Sequence, residues 1–343
     1  MATTLNGIRA GAWPACPYTP CSRDTGAALS DRALGVLDFG GDFDSEEGPQ
    51  AVRDPRRARV PQVALSGSGN NSSILWLSEQ PVRHGWRDAV GWATNGSVAF
   101  VQLRVPEAEL ERDFEAAIGS AYRRLQAAAV ACGCPEPLRM WNYLSAINEG
   151  QGDDERYRRF CVGRYPVLAA LEGFPAATVI GSRAGSGLIL FALYGRQAGF
   201  PIENPQQVSA FRYPARYGRR SPSFSRATLL PWADGARLMV SGTASIVGHA
   251  SVHPGDPVAQ FACSMGNIAA VRDAALQHAA MAGKNPGFEL ESAIVYVRNP
   301  AHLAALQPHF ARSFGSLPLR VLQGDVCRRE LLVEMEAVYR ATF

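Results

Sequence analysis

The chain has 343 residues, 47% of them hydrophobic, and a formal net charge of +3. Such a composition builds a sizeable core and excludes a disordered chain, and the charge is too small to argue for a nucleic-acid partner. The length admits one large domain or two ordinary ones.

The first residues, MATTLNGIRAGAWPACPYTP, lack the apolar run of a secretory signal. No stretch approaches the roughly 20 apolar residues of a membrane span. A cytoplasmic protein with no membrane partner is expected. Residues 1–60 read as loop-rich, with GGDFDSEEGPQ and the charged RDPRRARV. SSILWLSEQ and GSVAFVQLRV then read as strands. A helix is predicted from Pro106, because Leu110, Phe114, Ala117, Ala121 and Leu125 recur at helical spacing and proline suits a first turn. It should stop before Cys132-Gly133-Cys134-Pro135.

Breakers and aromatics mix in PEPLRMWNYLSAINEGQGDD, which places a domain boundary near 140–150: an N-terminal unit over 1–145 and a C-terminal unit over 146–343. Beyond it FPAATVIG and GLILFALYG read as buried strands and ARLMVSGTASIVGHASV as a strand pair. A helix follows over Met265–Met281, then a strand in SAIVYVRNP, a helix in AHLAALQPHFARSF and a last strand in LLVEMEAVYR. This order predicts an α+β fold, with helices on one face of a mixed sheet in each unit.

Several motifs carry no chemistry. GSGNN at 67–71 lacks the Lys-Ser/Thr of a phosphate loop. His249 and His253 have a metal-ligand spacing only on a helix, and their context is a strand running into Pro254-Gly255. Seven scattered cysteines, at positions 16, 21, 132, 134, 161, 263 and 327, form no disulfide framework. We expect reduced thiols, no metal and no organic cofactor.

Three features point to a site. The first is a pair of arginine–tyrosine clusters, Arg156–Arg164 and Phe211–Arg226. The planar guanidinium fork suits carboxylates, so two clamps suggest a small dicarboxylic ligand, although surface pairing with Asp153, Asp154 and Glu155 would also account for most of these arginines. The second is Glu334 and Glu336 on one face of the last strand, with Leu331, Val333, Met335 and Ala337 on the other. Against an apolar pocket one carboxyl would hold its proton and serve as a general acid; on an exposed strand edge it would not. The third is Ser241-Gly242-Thr243-Ala244-Ser245, whose small residues would let a ligand approach the backbone.

Taken together, Asn142-Tyr143, INEGQGDDERYRRFCVGR, IENPQQVSAFRYPARYG, RSPSFSRAT, SGTASIVGH and LLVEMEAV resemble the chorismatases. The likeness is strong over residues 140–343 and loose before them. The C-terminal part also resembles the RidA (YjgF-like) fold, which implies two RidA-like units in one chain. It leaves the oligomeric state open between monomer and trimer. The resemblance implies chorismate as the small-molecule partner, with cleavage to pyruvate begun by protonating the enolpyruvyl ether. It implies Glu334 as the acid, with Glu336 as substitute. Tyr143, Arg164, Tyr213, Arg216, Tyr217 and Arg226 would hold the carboxylates. Ala244 and Cys327 would decide the product: Ala244 is similar to the water-using branch, which yields a 3,4-dihydroxycyclohexadiene acid, and Cys327 to the branches that yield 3- or 4-hydroxybenzoate. The hydroxybenzoate outcome is the expectation. The competing classes are a RidA-like deaminase or carboxylate binder, for which Arg320 would be the anchor, and a scaffold without turnover.

Overall fold

The computed structural model describes residues 19–23, 29–40, 54–66, 73–232, 235–281 and 287–341. The turn expected at 67–71 lies outside them. The early strands are β1 (Thr19–Arg23), β2 (Ala33–Phe39), β3 (Arg57–Val60), β4 (Ala64–Ser66), β5 (Ser73–Leu77), β6 (Arg83–Arg87), β7 (Val90–Thr94) and β8 (Val98–Val105). Helices α1 (Glu107–Arg112) and α2 (Phe114–Ala131) follow, then β9 (Glu136–Ser145), α3 (Arg156–Leu168), β10 (Ala176–Ser182) and β11 (Leu188–Gly195). The remainder is β12 (Phe200–Ile202), β13 (Ala227–Trp232), β14 (Gly235–Ala244), the short β15 (Ile246–Val247) and β16 (Ala250–Ser251), α4 (Pro257–Met281), β17 (Glu289–Val297), α5 (Leu303–Phe314), β18 (Leu319–Gln323) and β19 (Val333–Ala341).

A six-stranded mixed sheet runs β10-β9-β11-β8-β7-β6, and a seven-stranded one runs β12-β13-β14-β19-β17-β18-β4. One core lies between the first sheet and α2/α3. Another lies between the second sheet and α4/α5. The two sheets face each other across a third core, which the small sheet β1-β5-β2-β3 extends. The expected α+β class holds, with helices on one face of each large sheet. Among the described residues no helix is long and apolar enough to cross a membrane.

Four expectations need correction. The region read as loop contributes β1, β2 and β3. The helix after Pro106 is two helices, because Asp113 is extended and its side chain accepts from the Ala116 amide at 3.1 Å, starting α2 afresh. The helix read from Met265 begins eight residues earlier, at Pro257, where Asp256 accepts from the amides of Val258 and Ala259. The boundary at 145/146 falls directly after β9, which is hydrogen-bonded to β10 and β11 beyond it. The six-stranded sheet therefore continues across that position to Gly195.

Two details place the site. Helix α2 ends in a paired-turn cap: Gly133 has φ +76°, and the Cys134 amide donates to the Ala129 carbonyl at 3.0 Å. Helix α3 then packs against α2 at Gly163, where a Cβ would lie 2.7 Å from the Glu115 carbonyl. Only glycine permits that approach, and it presses the Tyr157–Arg164 face of α3 inward. Strand β10 ends its sheet, and its outer side is met by Ser225 ahead of β13, by Ser241 and Gly242 of β14 and by Asp325 in the loop after β18.

Candidate active site

Strand β19 alternates strictly. Val333, Met335 and Ala337 join the core under α4 and α5; Leu331, expected on the same face, precedes the strand and packs instead with Ala244, Val326 and Cys327. Glu334 and Glu336 point the other way and are both buried, 5% and 6% exposed. Their environments differ sharply.

Glu336 is saturated. Its carboxylate accepts from Arg139 Nη2 at 2.5 Å, from the Thr178 hydroxyl at 2.5 Å, from Trp141 Nε1 at 3.1 Å and from the Tyr296 hydroxyl at 3.2 Å. The Arg139 contact is a buried ion pair. Its desolvation costs several kcal/mol per ion, which the hydrogen bonds and the apolar residues around it offset. Tyr143 belongs to this network: its hydroxyl lies 2.8 Å from that of Tyr296, and its ring stacks on Phe191 in the inter-sheet core.

Glu334 makes no hydrogen bond among the described residues. Burial, and then the charge of Glu336, push its carboxyl up to about 8, against the opposing pull of Arg139, Arg298 and Arg226. At neutral pH it carries its proton. Gly242 leaves room for it, since a Cβ there would stand 2.0 Å from Glu334 Oε1. The Gly242 amide donates to the Thr178 hydroxyl at 3.0 Å, and Thr178 donates to Glu336. One threonine thus joins the saturated carboxylate to the residue that makes space for the free one.

Ala244 is the register partner of Glu334 on β14 and packs with Ile246, Val326, Leu331 and Cys327. The structure therefore brings Glu334, Ala244 and Cys327 together. Burial, and then Glu334, push the Cys327 thiol up to about 12, so it is a neutral wall and not a nucleophile. Tyr157 of α3 lies within electrostatic reach of Cys161, Cys327, Arg164 and Glu334, and burial holds its hydroxyl well above the usual range.

Arg164 is completely buried, and none of its three guanidinium nitrogens has a hydrogen-bond partner among the described residues. It lies over Phe160, with Tyr122, Cys161 and Tyr157 as its strongest charge neighbours, none of them an acid. An unpaired buried cation costs far more than any packing contact returns, unless an anion meets it.

Arg226 is 3% exposed and donates to the Tyr213 hydroxyl at 2.8 Å and the Val208 carbonyl at 3.0 Å, leaving Nε unpartnered. Tyr213 and Tyr217 pack together, with Arg328 over both rings. Arg216 lies outside, exposed, 3.0 Å from His249 Nδ1 and 3.2 Å from the Tyr217 hydroxyl.

The expected residues thus fall into three sets. Glu334, Ala244 and Cys327 meet at one wall, with Arg226 and Tyr213 close by and Arg164 beyond Tyr157. Arg216 and Tyr217 form an outer rim. Tyr143 and Glu336 sit in the inter-sheet network. Arg320 is elsewhere, buried on β18 and donating to the Ser73 carbonyl at 2.9 Å. Arg139, Thr178, Trp141, Tyr296 and Arg298 were missed; no local motif marks them, because each acts across more than 20 residues of chain.

Comparison with known proteins settles the kinship. A chorismatase from Streptomyces rapamycinicus is 38% identical over 275 residues, covering 77% of this chain and 80% of its own. The chain belongs to the chorismatase family. The family model for the N-terminal part of FkbO/Hyg5-like chorismatases matches residues 75–193. A 3-hydroxybenzoate synthase from Streptomyces hygroscopicus is 37% identical over 277 residues, again 77% of this chorismatase and 80% of the relative. A chorismatase crystal structure superposes with a TM-score of 0.79 at 29% identity, covering 94% of this chain and 99% of that one.

Proposed function

We propose that the protein cleaves chorismate to pyruvate and a hydroxybenzoate, with Glu334 as the general acid. The observation that carries this is a buried carboxyl, without a hydrogen bond among the described residues and raised to about 8 with Arg226 in its electrostatic reach, in a chorismatase whose unpartnered, buried Arg164 shares Tyr157 as a neighbour with it. Protonation of the enolpyruvyl methylene carbon needs a carboxylic acid that keeps its proton at neutral pH and is not held by other donors. Glu334 meets both conditions. Glu336 fails the second, because four donors already occupy its oxygens; its part is that of a fixed counter-charge.

The proton from Glu334 converts the enol ether into an oxocarbenium ion, and the negative charge left on Glu334 lies beside that cation. Arg164 supplies two parallel donors to one substrate carboxylate, and Arg226 with Tyr213 addresses the other. Water or the neighbouring ring hydroxyl then completes the cleavage. Capture by water consumes one water and gives the dihydroxycyclohexadiene acid with pyruvate. Use of the ring hydroxyl consumes none, and the atoms of chorismate divide between pyruvate and hydroxybenzoate.

Ala244 and Cys327 form an apolar corner beside Glu334, and neither side chain offers a strong hydrogen bond to hold a water. That supports the hydroxybenzoate outcome, as does the likeness to a 3-hydroxybenzoate synthase. The test is incubation of purified protein with chorismate, with pyruvate assayed and the ring products resolved by chromatography with mass detection. Hydroxybenzoate and pyruvate in equal amounts are expected. A dominant dihydroxylated diene would refute the product assignment, and no pyruvate would refute the activity.

A further inference from the structure

The loop between β18 and β19 carries Cys327 into the wall of the site; Gln260 of α4 holds its far end at Glu330 and Leu332, and Arg298 holds the part around Cys327. Arg298 follows β17 and uses all five of its N–H donors. Nε donates to the Leu331 carbonyl at 2.8 Å. Nη1 donates to Asp325 Oδ1 at 2.7 Å and to Asn148 Oδ1 at 3.0 Å. Nη2 donates to the carbonyls of Val326 at 2.8 Å and Arg328 at 3.0 Å. A guanidinium has five donors in a fixed plane, and here every one has an acceptor.

The acceptors are not scattered. Val326 and Arg328 are the two chain neighbours of Cys327, and Val326 and Leu331 are also its packing partners, with Ala244 and Ile246. Asn148 lies on the loop from β9 to α3, so the same guanidinium joins the Cys327 wall to the segment leading into Tyr157 and Arg164. The backbone at Asp325 is tied to β10 as well, through reciprocal bonds with Gly181 at 2.7 and 3.0 Å. Arg298 thus holds the backbone carbonyls on both sides of Cys327, while Gln260 and the Arg328 side chain tie the loop to α4 and to the β15–β16 turn.

We propose that Arg298 is a positioning residue that fixes the Cys327 wall and thereby the choice between water and the ring hydroxyl. This rests on the proposed chorismate cleavage. A wall displaced by a fraction of an ångström beside the acid opens or closes room for a water at the cation. Arg298 touches neither substrate nor reacting atoms and acts through the loop.

Arg298→Lys separates this role from a purely electrostatic one. Lysine keeps the positive charge near Glu334 but has three donors and no plane, so it cannot hold three loop carbonyls, Asp325 and Asn148 together. The experiment measures the ratio of ring products formed from chorismate by R298K, C327A and the unaltered protein, all well below their melting temperatures. The ratio of products is independent of how much of the enzyme is active, so simple destabilisation does not move it. R298K should change the ratio by about threefold or more, in the same direction as C327A, with the alkaline limb of the pH profile in place. Asn148→Ala, which removes one acceptor, gives the same readout should R298K fail to fold, with a smaller change. An unchanged ratio in the folded variants overturns the assignment while leaving chorismate cleavage standing. No pyruvate from the unaltered protein removes both.

Discussion

Glu336→Gln is the sharpest test of the two-carboxylate arrangement. It removes a negative charge beside Glu334 and keeps the side-chain shape. The two side chains are two residues apart on one strand face, about 7 Å at ordinary strand rise. At an effective dielectric near 20 their repulsion is about 2.4 kcal/mol, and about 1.4 kcal/mol moves a midpoint by one pH unit. The Glu334 midpoint, about 8 in the unaltered protein, should fall to roughly 6–6.5. Arg139, left without its partner, pushes the same way. The other groups around Glu334 are Arg298, Arg226, Cys327 and Tyr157, and the substitution changes none of them. At pH 7 the protonated fraction should drop from about nine-tenths to about one-fifth, a loss of roughly fivefold in turnover that disappears near pH 5.5. The assay is pyruvate release against pH. Breaking a buried pair also costs about 3–5 kcal/mol of stability, so the profile is measured at low temperature on protein shown to be folded by circular dichroism. An alkaline limb still near 8 in folded E336Q would refute the idea that Glu336 keeps the acid protonated.

Glu334→Gln should lower turnover by about 10²–10⁴-fold with chorismate binding retained, measured by pyruvate release and calorimetric titration. The same variant should melt higher than the unaltered protein above pH 8 but not near pH 4. The folded carboxyl holds its proton to about 8 and the unfolded one to about 4.5, so the stability from this group is fully present below 4.5 and is lost as pH rises through 8; equal melting temperatures at both pH values would contradict that. Arg164→Lys should raise KM for chorismate about tenfold or more, and Arg226→Lys less, because Arg164 has no other partner; unchanged KM in both would return these arginines to a packing role. Gly242→Ala should abolish most turnover, since its Cβ would occupy the space of Glu334 Oε1, and a fully active variant would show that the carboxyl need not sit there.

Much of the fold was legible because apolar periodicity records which side faces a core. The alternation in LLVEMEAVYR puts both glutamates on one face, and β19 confirms it. The hairpin of β6 and β7 escaped because its turn, Asp88-Ala89, reaches positive φ at both residues without the usual Asn-Gly. The start of α4 escaped for a different reason: Asp256-Pro257 is a capping residue before a first-turn proline, a legible signal that the adjoining Pro254-Gly255 obscured. The expected boundary falls directly after β9, whose partners β10 and β11 come later in the chain, a pairing that no local sequence signal records.

The site was legible in its residue types but not in its division of labour. Two glutamates two apart look equivalent in a sequence, and what separates them is the company each keeps. Arg139, Trp141 and Thr178 come from strands of the other sheet, and all three donate to Glu336. Glu334, one pleat earlier, faces Gly242 and the Cys327 wall and receives no donor. A carboxylate with that many donors is favoured in its charged form and makes a poor acid, whereas a buried carboxyl beside that charge is favoured in its neutral form. The pair thus assigns the charge to one member and the proton to the other. The buried Arg139–Glu336 ion pair therefore has a use beyond holding the sheets in register, because replacing it with apolar residues would leave burial alone to keep Glu334 an acid.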